Sequence, residues 1–102
     1  MDKATVASRA NLLLELPGGD LIKGGLEDLA AGTETEDALL VASFSTRLRG
    51  LGLSVPPHRV KDPEMRLYRL LERRLGNGAH AHYNALIRRV LSFSNSYWCV
   101  KP

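Results

Sequence analysis

The apolar residues of this chain are overwhelmingly helix formers. Leu, Ala and Met supply 30 of its 102 residues, against eight from Val and Ile. Branching at Cβ stiffens χ1 and favours strands, whereas Leu, Ala and Met lose little on entering a helix. The core is therefore expected to be all-α, a compact bundle of about five helices with negligible strand content. One short run alternates, Leu51, Leu53 and Val55, but Pro56 and Pro57 end it and no second run exists to pair with it. It reads as an extended linker.

At 11.2 kDa the chain has enough surface to bury one core and not two, so residues 1–102 are expected to form a single domain. A hydrophobic share of 44% and a charged share of 25% match folded globular domains and exclude disordered or collagen-like classes. The longest apolar run is five residues, Ala38 to Ala42. A bilayer span needs roughly 18, and a signal peptide about 7 to 15, so neither is expected. Cys99 is the single cysteine, which precludes an intrachain disulfide and suits a reducing compartment, the cytoplasm by default.

Punctuation along the chain divides it into helices. Asp2 can cap a first helix over about residues 3 to 16, ended by Pro17, Gly18 and Gly19. Asp20 offers a cap for a short second helix carrying Ile22, Leu26 and Leu29, stopped by Gly32. Gly24 and Gly25 inside it are each unfavourable by about 1 kcal/mol relative to Ala, which the close approach of another helix would offset. Thr33 and Glu36 have the form of a capping box ahead of a third helix, apolar nearly all round and therefore central, that runs past Arg47 and Arg49 to Gly50. Asp62, Pro63 and Glu64 start a fourth helix over about 63 to 75, with Leu67, Leu70, Leu71 and Leu75 at helical spacing. A turn at Gly76, Asn77 and Gly78 leads to a fifth helix reaching roughly residue 98 and antiparallel to the fourth.

Charge is divided unevenly. Residues 1–46 hold three basic and eight acidic residues, net −5, whereas residues 47–102 hold eleven basic and three acidic, net +8; together they make the overall +3. Ten of the fourteen basic residues are Arg, and Arg66, Arg69 and Arg73 form one stripe on the fourth helix. That stripe has three readings: a solvated face partly neutralised by the acidic half, a contact for an acidic protein surface or a second copy of the chain, or a phosphate contact. In the last, the fourth and fifth helices have the outline of a helix-turn-helix, with His80, His82, Asn84 and Arg88 presented from the start of the second.

Catalytic and ligand motifs are incomplete. Gly19 and Gly24 have the separation of a phosphate loop, but Gly25 and Leu26 stand where Lys and Ser or Thr are needed. Gly50 and Gly52 lack the third glycine of a dinucleotide fingerprint, since position 55 is Val. His80 and His82 are two apart and diverge on a helix, and His58 and Cys99 are distant in sequence. Cys99 as a nucleophile would need a base such as His80 or His82 folded against it, and it reads instead as a small buried or tail thiol; the acidic pairs Glu27-Asp28 and Glu36-Asp37 suit helix surfaces and N-termini.

No catalytic residue, cofactor, metal or small-molecule substrate is therefore expected. The chain is expected to be a non-enzymatic helical protein–protein interaction module, self-association included. Arg66, Arg69, Arg73 and the C-terminal aromatics Tyr97 and Trp98 are its candidate contacts. The alternative is a DNA- or RNA-binding helical protein using Arg66, Arg69, Arg73, His80, His82, Asn84 and Arg88.

Overall fold

A computed structural model of the chain describes residues 13–100. No strand occurs among them, and the architecture is all-α. The helices are α1 (Gly19–Ala30), α2 (Glu36–Ser43), α3 (Ser45–Gly50), α4 (Pro63–Leu75) and α5 (Ala79–Val100), with a 3-10 turn at Gly76–Gly78 before the last. The expected first helix lies largely outside the described residues; Leu13, Leu14 and Glu15, at its end, are helical.

Helix α1 begins two residues earlier than its acid suggests. Gly18, not Asp20, occupies the N-cap position, in a left-handed conformation with φ 75°. A Cβ there would lie 2.6 Å from the carbonyl oxygen of Arg89, so the chain enters α1 pressed against α5 where only glycine fits. Asp20 sits in the first turn, where the helix dipole favours its charge. At the far end Gly32 adopts φ 78°, its N–H bonds to Leu29 and the N–H of Thr33 bonds to Asp28. This Schellman closure engages the Thr33 backbone and moves the start of the next helix.

The cap of α2 is accordingly Thr35 rather than Thr33. Its hydroxyl accepts from the N–H of Ala38 at 3.2 Å and donates to Asp28 Oδ2 at 2.7 Å, tying the helix start to α1. Five successive residues, Ala38 to Ala42, are buried, because α2 packs on α1 along one side and on α4 along another. The α1 contact explains Gly25: a Cβ there would stand 2.4 Å from both the Asp37 carbonyl oxygen and Val41 Cγ2. The helices approach too closely for any side chain at this point.

The single third helix expected from the sequence is divided at Phe44, which departs from helical geometry at φ −107° and ψ 17°. Ser43 just before it donates back to the Leu39 carbonyl at 2.8 Å, a bond that favours helix bending. The bend carries the chain into α3, whose Leu48 is fully buried. Gly50 is the last residue of α3 and not its stop. The stop is Gly52, at φ 95°, with its N–H on Arg49 and that of Leu53 on Leu48.

The segment between α3 and α4 has no regular structure, and it is anchored by Leu51 and Val55 in the core. Asp62 precedes α4 in a left-handed conformation (φ 49°), and its carboxylate makes no cap bond; Pro63 supplies the helical φ instead. After the turn at Gly76–Gly78, α5 runs back along α4, and Tyr68 meets the rings of His80 and Tyr83 edge-on. Along α5 the residues Leu86, Val90, Phe93 and Tyr97 form the row that closes the core.

Candidate interaction groove between α2 and α4

Helix α4 separates its residues sharply. Leu67 and Leu71 are fully buried against α2 and Leu70 is half-buried, while Arg66, Arg69, Arg73 and Arg74 are exposed. Leu75, expected on the buried row, is 45% exposed because the helix ends there and gives way to the turn. Beside this basic face lies an open groove of about 640 Å³. Leu39 of α2 and Leu70 of α4 form its apolar part, Arg66, Arg69 and Arg73 its basic part, and Glu34 and Glu72 add two acids.

The acidic and basic halves of the sequence meet in the folded chain. Glu34 pairs with Arg66, Glu36 with both Arg74 (3.5 Å) and His82 (2.7 Å), and Asp20 with Arg89 (3.0 Å). The exposed pairs are each worth about 0–1 kcal/mol, so they select which surfaces face each other more than they stabilise the fold. Arg69 and Arg73 differ from these. Neither has an ion-pair or hydrogen-bond partner among the described residues, although both line the groove.

The residues singled out in the sequence therefore fall into separate places. Arg66, Arg69 and Arg73 are together at the groove. Tyr97 is a correction: it is 5% exposed and stacks on Phe93 at 5.6 Å, because it continues the buried row of α5, so it belongs to the core and offers no contact surface. Trp98, one position further round the helix, is 62% exposed. His80, Asn84 and Arg88, four apart, are exposed on α5, with Asn84 Nδ2 3.2 Å from His80 Nε2. His82 does not share their face; it turns to Glu36 at the start of α2. No grouping of His, Cys, Asp and Glu among the described residues could hold a metal ion, and Cys99 is exposed.

The sequence reading missed Leu39, Leu70, Glu34 and Glu72 as groove residues. Leu70 was accessible to it, since it adjoins Arg69 on the helix; Glu34 and Leu39 come from another part of the chain and become neighbours only by folding.

Asp37 lies where α1 and α2 meet. Its pKa is raised, first by burial and then by the nearby carboxylates of Glu36, Asp28 and Asp20, while Arg89 opposes the shift. A raised carboxylate pKa means that the folded chain holds the proton more tightly than the unfolded one. Ionised Asp37 thus opposes folding above its raised pKa, and that penalty is relieved as pH falls toward the ordinary value of 3.8. Wild type should accordingly gain stability relative to Asp37→Asn on going from pH 7 to about pH 4.5, as measured by paired urea titrations; a constant difference between the two proteins would refute this assignment.

No helix among the described residues is long and apolar enough to cross a membrane. Comparison of the chain with protein-family models, with curated proteins and with solved structures found no match. The class defined by the fold is thus an all-α globule carrying a basic, partly apolar groove on one face.

Proposed function

We propose that this protein is a non-enzymatic binding module whose groove between α2 and α4 receives an acidic surface of a protein partner, a second copy of the chain included. The observation that carries the reading is the contrast among the arginines. Arg66, Arg74 and Arg89 are neutralised within the chain, whereas Arg69 and Arg73 are left with uncompensated charge beside the half-buried Leu70. Folding alone does not require that arrangement, and a partner carboxylate would complete it through the planar fork of each guanidinium.

Glu34 and Glu72 in the same groove favour a protein over nucleic acid. A phosphate backbone presents charge at every step and would meet both carboxylates, while a protein surface can place neutral or basic groups opposite them. The nucleic-acid reading rests on the exposed row His80, Asn84 and Arg88, which lies on α5 outside the groove lining.

Reversing charge at Arg69 and Arg73 together is expected to weaken partner capture from an extract of the source cells by about tenfold or more, because each swap sets like charges against each other. Arg88→Glu should leave the same capture intact. Labelled duplex DNA and structured RNA, titrated between about 50 and 200 mM salt, should show no tight salt-sensitive binding. Retention of every partner by Arg69→Glu/Arg73→Glu would remove the groove from the function, and steep salt-dependent binding would replace the reading with the nucleic-acid one.

A further inference from the structure

We infer that the partner received by α4 is a second copy of this chain, the two α4 helices lying antiparallel across a two-fold axis so that Arg69 of each copy pairs with Glu72 of the other. This rests on the basic face of α4 being the partner site, and adds which protein occupies it and in what orientation.

The order of charges on α4 carries the inference. Met65, Arg69 and Glu72 stand four and three residues apart, so they share one face of the helix, and all three are exposed. Glu72, like Arg69, has no side-chain ion pair or hydrogen bond among the described residues. The two do not neutralise each other within the helix, where an acid following a base is the less favourable order. An unpaired cation and an unpaired anion are thus left side by side. A two-fold axis between residues 70 and 71 reverses their order on the facing helix and matches each with its opposite, twice over. A parallel arrangement would set Arg69 against Arg69.

The apolar ends of α4 agree with this. Met65 in the first turn is 53% exposed, and Leu75 in the last is exposed as well. Within one copy they lie at opposite ends of the helix, whereas antiparallel pairing brings the first turn of one copy to the last turn of the other. Met65 then lies over Gly76 of the second copy, where a side chain would meet nothing within 4 Å, and beside its Leu75. The arrangement also accounts for an acid in a basic groove: Glu72 repels a uniformly acidic ligand, but a second copy presents an arginine to it. Helix α4 has 13 residues, and a helix pair of that length is at the small end of specific interfaces, so a dissociation constant on the order of 10–100 µM is expected.

Sedimentation equilibrium of the full chain from about 5 to 500 µM, at about 50 mM salt to limit screening, tests this. Wild type should pass from monomer to dimer and no further, since a two-fold contact closes on itself. Arg69→Glu and Glu72→Arg should each weaken association about tenfold or more, because each sets like charges together at two symmetric positions. Mixed in equal amounts, the two variants should dimerise again, and Arg69→Glu/Glu72→Arg should dimerise alone, opposite charges being restored across the axis in both cases. The substituted positions are exposed, so every variant should keep the wild-type melting curve, and loss and rescue then read the contact rather than folding.

A wild-type chain that stays monomeric to the top of the range overturns the inference. So does a dimer that survives both single variants, a loss that mixing does not rescue, or assembly beyond the dimer. In each of these cases, capture of a different protein through Arg69 and Arg73 still judges the partner site by itself. If that capture is also unchanged by Arg69→Glu/Arg73→Glu, inference and reading fail together.

Discussion

Replacing Phe93 by Ala is expected to destabilise the protein by about 3–5 kcal/mol. Phe93 is fully buried, and its ring stacks on Tyr97 with centroids 5.6 Å apart and planes at 28°. Truncation would remove the largest of the fully buried side chains and leave Tyr97 without the surface it covers. The entry to α1 passes the same place, since a Cβ on Gly18 would lie 3.4 Å from that of Phe93, so a cavity here would loosen α5 from α1 as well. A domain of this size has a total stability of about 5–15 kcal/mol, and each kcal/mol moves its melting temperature by about 4–8 °C. Phe93→Ala should therefore approach the limit of folding at 37 °C. Phe93→Leu, which keeps most of the apolar volume, should be affected far less. A thermal melt of the two variants settles the point; a shift of only a degree or two for Phe93→Ala would mean that this part of α5 is not packed as described.

The second large effect concerns two adjacent glycines that the sequence cannot tell apart. Gly25→Ala is expected to destabilise by about 1–3 kcal/mol or more, because the new methyl would stand 2.4 Å from a backbone oxygen of α2 and α1 would have to move away. Gly24→Ala is expected to be neutral or stabilising by up to about 1 kcal/mol. The nearest atom to its Cβ is Asp37 Oδ2 at 3.4 Å, an ordinary contact, and Ala is the better helix former. Urea unfolding of the two variants reads the difference directly. Equal effects would show that the close approach of α1 and α2 is not centred on Gly25.

The pattern of these glycines illustrates what can be inferred before folding is known. Two glycines inside a helix imply a close neighbour, and Gly25 has one. Which glycine carried the contact, and whether the neighbour belonged to the same chain, depended on how α1 and α2 cross. The caps behaved similarly. Gly32 ends α1 as its position implies, but by closing α1 through the Thr33 backbone it transfers the next cap to Thr35. A capping box is a local pattern, and here a competing local structure, the Schellman closure, had prior use of the same residues.

Sequence by itself determined the class of the core, the positions of most helices and the amphipathic division of α4, because these follow from side-chain type and periodicity within a few turns. It also determined that an acidic half and a basic half would have to coexist in one molecule. Tertiary structure alone decided which charges meet. Glu34, Glu36 and Asp20 take Arg66, Arg74 and Arg89, and Arg69 and Arg73 are left beside Leu39 and Leu70. It likewise assigned Tyr97 to the core and Trp98 to the surface, although they are neighbours in sequence. An ion pair or a buried face is set by distances between residues far apart in the chain, and those distances exist only once α2 has been enclosed between α1 and α4.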